Sequence, residues 1–201
     1  MSRSGRPSIW KRLFVSSLTV IFCLQIHAGQ PEDKDRLGMA IEYFQSGKYH
    51  EALLIFQDLD RKYKLSPRFR GYIGVCYYYE WNYEEACKYL DAMLPELEIF
   101  APHERSVYYF SAASSHFQLK EYRAAIPLYE KMLTVCYDNE KPETFYQLGF
   151  CYMFIDDWFN AHDCFVSALA YYTRFLNRPD QHARMQQIRN MIKGCEEKMN
   201  R

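Results

Sequence analysis

Met39 to Leu59 reads MAIEYFQSGKYHEALLIFQDL, and this 21-residue layout returns three more times without a gap. Ile73 to Met93 reads IGVCYYYEWNYEEACKYLDAM. Ala112 to Met132 reads AASSHFQLKEYRAAIPLYEKM, and Leu148 to Ala168 reads LGFCYMFIDDWFNAHDCFVSA. Each column of the four has a physical sense. A small residue recurs at Ala40, Gly74, Ala113 and Gly149, and an aromatic or His follows three later at Tyr43, Tyr77, His116 and Tyr152. Turn residues come next: Gly47-Lys48, Trp81-Asn82, Lys120-Glu121 and Asp156-Asp157. An aromatic then opens a second apolar stretch at Tyr49, Tyr83, Tyr122 and Trp158. Three residues on stands an Ala in every copy: Ala52, Ala86, Ala125 and Ala161. Four beyond it lies Phe56, Leu90, Tyr129 or Phe165. Apolar residues spaced three and four apart predict helices, so each unit reads helix, tight turn, helix. Small residues on one helix facing large ones on the other let the pair approach closely.

The four Ala residues lie 34, 39 and 36 apart. The first interval is the period of one class of helix-pair repeat. The extra residues of the second fall in PELEIFAPHER, where Pro95 and Pro102 end one helix and precede the next. On these columns the chain resembles the tetratricopeptide repeat family, over residues 35–172. The family's Trp-Leu start is missing. The resemblance implies an all-α fold, an α-α superhelix built as a right-handed solenoid of about four helix pairs. Gly74, Gly149 and the four Ala residues are its structural anchors.

Residues 178–201 carry another apolar stripe, Met185, Ile188, Ile192, Cys195 and Met199, spaced 3, 4, 3 and 4. A repeat array exposes the apolar side of its last unit, so this stripe predicts a C-terminal capping helix.

The first residues read as an export signal. Arg3, Arg6, Lys11 and Arg12 precede an apolar run from Leu13 to Ile26, and Ala28 and Gly29 are small. That order of charge, apolar run and small residues predicts a signal peptide over residues 1–28 and a mature chain in the periplasm or cell envelope. The run is shorter than the ~20 residues that cross a bilayer as a helix. Secretion and a mitochondrial address are the lesser alternatives. Export permits disulfides among Cys76, Cys87, Cys136, Cys151, Cys164 and Cys195. Each also sits in an apolar helical pattern, where a free Cys acts as a small hydrophobe.

The formal net charge is zero, and all four of those basic residues lie in the leader. A mildly acidic body with no basic stripe excludes a nucleic-acid binder. No HExxH, no glycine-rich phosphate loop and no GxSxG occurs. We expect no catalytic residue, no metal site and no cofactor.

The resemblance places the first helix of each pair on the concave side and implies a groove there for another protein. The positions it assigns include Phe44, Val75, Tyr78, Tyr79, Phe110, Phe117, Tyr146, Phe150 and Phe154. This lining is aromatic and almost uncharged, which suits an apolar or aromatic protein segment. The competing arrangement buries these residues in a tight superhelix or under the C-terminal helix. Family members that clamp chaperone carboxylates do so with Lys, Arg and Asn; the first-repeat places are held here by Leu37 and Ile41, and the second-repeat Asn place by Tyr72. That clamp is therefore not expected. The function implied is a scaffold or adaptor. The alternatives are an assembly subunit of a membrane-protein complex in the envelope and a chaperone similar to those of secretion translocators.

Overall fold

The computed structural model describes residues 31–200. The expected signal peptide lies outside them. Nine α-helices follow one another among the described residues: α1 (Pro31–Gln45), α2 (Tyr49–Tyr63), α3 (Pro67–Tyr79), α4 (Tyr83–Met93), α5 (Pro102–Gln118), α6 (Tyr122–Val135), α7 (Lys141–Phe154), α8 (Trp158–Phe175) and α9 (His182–Met199). Short 3-10 helices join α4 to α5 and α8 to α9. Each helix packs on the next, and α3 also touches α5, the odd-numbered helix of the following pair. That is an all-α superhelix of stacked pairs.

The repeat columns explain the packing. Ala52, Ala86, Ala125 and Ala161 are fully buried, as are Phe56, Leu90, Tyr129 and Phe165. A Cβ on Gly74 would stand 2.6 Å from Leu90 Cγ, and one on Gly149 would stand 2.7 Å from Phe165 Cε1. The large residue of the even helix thus lies over the small residue of the odd one.

Every pair turns in the same way. The residue at the turn is left-handed in all four: Gly47, Trp81, Lys120 and Asp156, with φ of 73°, 58°, 63° and 62°. The next amide reaches back to the carbonyl five residues earlier, as in Lys48 N to Tyr43 O at 2.9 Å and Glu121 N to His116 O at 2.8 Å. These bonds satisfy carbonyls that the helix end leaves open. Two of the turns also cap the helix that follows. The Asn82 and Asp157 side chains accept from Glu85 N and Asn160 N.

The long second interval is not a loose loop. Within its 3-10 helix Leu97 is fully buried, and Phe100 just after it is buried too. Pro102 then starts α5 at a position that needs no amide proton. At the far end α9 covers α8 with Met185, Ile188 and Cys195, while Ile192 is half-buried and Met199 is exposed. Among the described residues all six cysteines are free thiols. Burial pushes Cys76, Cys151 and Cys164 up to about 12, so they act as small hydrophobes rather than nucleophiles.

A polar rung recurs at each junction between pairs. The residue three after the small one reaches the even helix of the preceding pair, five residues past its Ala. Gln57 donates to the Tyr77 hydroxyl. Tyr152 donates to Glu130 Oε1 at 2.8 Å. In the middle rung His116 Nε2 stands 3.2 Å from both Asp91 oxygens, and its Nδ1 is 2.6 Å from Glu121. The bond to Asp91 first, then Cys87 and Glu121, push His116 up to about 11 against the opposing effect of burial. His116 is therefore a charged pin where its counterparts are neutral tyrosines.

Candidate functional site

The odd-numbered helices carry the aromatic lining. On α7, Glu143, Gln147, Phe150 and Phe154 are spaced three and four apart and share one face. Phe110, Ser114 and Phe117 do the same on α5. The rings meet across the junctions. Phe117 meets Tyr122 edge-on at 5.5 Å, and Phe154 stacks on Tyr122 at 4.7 Å. Tyr146 meets Phe150 edge-on at 4.8 Å, and Phe150 lies 6.0 Å from Phe154. Together with Gln118, Lys120 and Gln147 these rings line a cleft of about 390 Å³ between α5 and α7.

The residues expected in the groove divide by depth. Tyr79 and Phe154 are 46% and 49% exposed. Tyr78, Phe110, Phe117 and Phe150 are half-buried and present part of each ring. Phe44 is half-buried too, stacked on Tyr72 at 4.3 Å. Val75 and Tyr146 lie in the core and support the wall from beneath, because helices on either side cover them. The Tyr79 ring stacks on Tyr49 at 4.0 Å, as Phe154 does on Tyr122. The same two columns thus build both contacts.

Two charged residues here escape the sequence reading. Glu143 Oε2 accepts from the Tyr172 hydroxyl at 2.6 Å, and Oε1 accepts from Gln147 Nε2 at 3.0 Å. Arg184 of α9 stands 3.7 Å from the same carboxylate and lies 4.2 Å over the Tyr146 ring. Both precede the repeated 21-residue unit or follow it, so no column announces them. Their one sequence signal is spacing: Glu143 lies four residues before Gln147 and so shares its helix face. The groove is therefore aromatic with a neutralised ion pair at one end. Nearer its middle, the Ser114 and Tyr129 hydroxyls are 2.9 Å apart, and burial raises the Tyr129 phenol well above its ordinary range.

Among the described residues no three His, Cys, Asp or Glu side chains are grouped to hold a metal ion, and no helix is long and apolar enough to cross a membrane.

No protein-family model and no curated protein matches the chain. Solved structures do. One of MamA AMB-1 superposes with a TM-score of 0.68 at 16% identity, over 86% of this chain and 85% of that one. The apo form of RapI gives 0.64 at 14% identity, over 84% of this chain and 64% of that one. Cut9, in the APC/C hetero-tetramer Cut9-Hcn1, gives 0.60 at 14% identity, over 81% of this chain and 29% of that one. All three are tetratricopeptide-type proteins, and likeness at such identity speaks for the fold. By its columns, its turns and its structural neighbours, the chain has the fold of a tetratricopeptide-type helical-repeat array.

Proposed function

We propose that the chain is an exported adaptor that holds an apolar or aromatic segment of another protein in its concave groove. One observation carries the reading: the cleft between α5 and α7 has ring walls, and Phe154 at its edge is about half exposed among the described residues. Rings left partly open are the groups that dominate protein interfaces. The apolar leader of residues 1–28 supports export. A neighbour of the same fold sits in a hetero-tetramer, which supports a protein partner.

The test is capture of envelope proteins by the wild-type chain and by a Tyr79→Ala, Phe154→Ala double variant. Both side chains are half exposed, so the variant keeps its melting temperature within a few degrees. We expect the captured partner to be lost. Undiminished capture by the folded variant contradicts the groove reading. For export, N-terminal sequencing of the mature chain from the envelope fraction is expected to start at Gly29, and an uncut chain in the cytosol contradicts it.

A second reading, an assembly subunit of an envelope membrane-protein complex, has its own observation. Leu54 on α2 and Phe159 and Val166 on α8 are 57%, 69% and 43% exposed on even-numbered helices. Light scattering of the mature chain separates the two. Self-association abolished by Phe159→Ser, with the groove variant unaffected, favours assembly.

A further inference from the structure

We infer that the cleft between α5 and α7 takes an aromatic side chain standing next to a carboxylate in the partner segment, with the Lys120 ammonium receiving that carboxylate. This rests on the groove reading above and names the chemistry of its occupant.

The walls select a ring. Phe117, Tyr122 and Phe154 already meet one another edge-on, tilted and stacked at 4.7 to 6.1 Å. A further ring continues the same geometry, which adds roughly two- to tenfold in affinity over an aliphatic group of equal area. The volume of about 390 Å³ admits a phenyl or indole group with its adjoining backbone.

The charge comes from the lining that has no internal partner. Glu143 is already occupied by Tyr172, Gln147 and Arg184. Glu121, beside Lys120 in sequence, is taken by His116. Lys120 lines the cleft and is exposed, and among the described residues no carboxylate or ring engages its ammonium. Its backbone is fixed by the left-handed turn, so the side chain starts from a defined point at the mouth. Gln118 beside it carries no side-chain bond among the described residues. It also occupies the column that Tyr79 and Phe154 fill with rings. The first repeat also has a Gln in this column, Gln45, but only in the third does a lysine hold the left-handed turn position beside it.

The test is an NMR titration of the isotope-labelled full chain with three Gly/Ser peptides. One carries a Phe between two Asp, one a Phe between two Lys, and one an Ala between two Asp. At low salt we expect the first to bind about fivefold tighter than the second, the scale of one exposed ion pair. The preference shrinks at about 500 mM salt, where the screening length falls to a few ångströms. The third peptide leaves the Gln147 and Phe154 amides unmoved. Lys120→Glu reverses the preference. Lys120→Gly removes it while melting no lower than wild type, because glycine suits the turn, so lost binding is not lost folding. Equal binding of both Phe peptides, unchanged by Lys120→Glu, overturns the carboxylate assignment and leaves the groove reading standing. Failure of every Phe peptide to shift these amides overturns both.

Discussion

Among the columns where the third repeat departs from the second and fourth, four lie at the rung, the groove rim, the turn and the outer face. It has His116 where they have Tyr77 and Tyr152, and Gln118 where they have Tyr79 and Phe154. It has Lys120 where they have Trp81 and Asp156, and Pro127 inside α6 where they have Lys88 and Asp163. The anchor columns keep their burial and their order of small beneath large: Ala113 stands where they have Gly74 and Gly149, and Ala125 and Tyr129 are as fully buried as Ala86 and Leu90 or Ala161 and Phe165. The difference shows where a repeat is free to vary. Columns that meet the next helix in the core are held by volume. Columns at the rung, the groove rim, the turn and the outer face are held by chemistry that several residues satisfy. The third repeat uses that freedom to make its rung charged and its rim polar, beside the cleft we assign to the partner.

The comparison breaks most sharply at the rung. His116→Ala removes a charged donor from Asp91 and Glu121 and is expected to cost about 2 kcal/mol. Both carboxylates are about half exposed, 43% and 54% at the side chain, so solvent screening holds the loss to that scale. Tyr77→Phe and Tyr152→Phe each lose a single hydrogen bond, and we expect about 1 kcal/mol. Urea unfolding of the three variants tests the order. The rungs also differ with pH. His116 keeps its proton in the folded chain up to about 11, whereas unfolded histidine releases it near 6.5. The stability it contributes is complete below about pH 6.5 and is lost as pH rises toward about 11. Wild type should therefore weaken relative to His116→Gln across that window, and parallel curves contradict the charged pin.

Pro127 is the next largest effect. Its ring removes one helical hydrogen bond inside α6 and crowds the preceding turn, and its side chain is exposed. Pro127→Lys, which copies the second repeat, is expected to raise stability by about 2 kcal/mol in the same assay. A loss instead shows that the proline's restriction of the unfolded chain outweighs the missing helical bond. The turn column gives the smallest change. Trp81→Gly and Lys120→Gly relieve a left-handed backbone and should each gain about 1 kcal/mol, while Gly47→Ala loses about as much.

The sequence columns made the fold legible because they mark volume. A small residue beneath a large one, repeated four times at helical spacing, leaves little choice of architecture. What they did not show has physical causes as well. Trp81, Lys120 and Asp156 give no sign of a left-handed turn, since glycine is its signal and only Gly47 carries it. Leu97 and Phe100 read as an insertion but fill the core, because a 3-10 turn between two prolines carries them inward. Val75 and Tyr146 share the helix face of groove residues, and only the neighbouring helices decide that they are covered. Glu143 and Arg184 come from outside the repeated unit and meet through α9 docking, which no spacing within one repeat can show.

The central claim is that a protein segment lies in the cleft beside the third repeat. Photo-crosslinking in the living cell tests it most directly, with a benzophenone amino acid placed singly at Gln118, Gln147, Lys88 or Asp163. The first two positions line the cleft, and the last two are exposed on the even-numbered helices. The account predicts one shared crosslinked protein at Gln118 and Gln147 and none at Lys88 or Asp163. Crosslinks confined to Lys88 and Asp163 would contradict it.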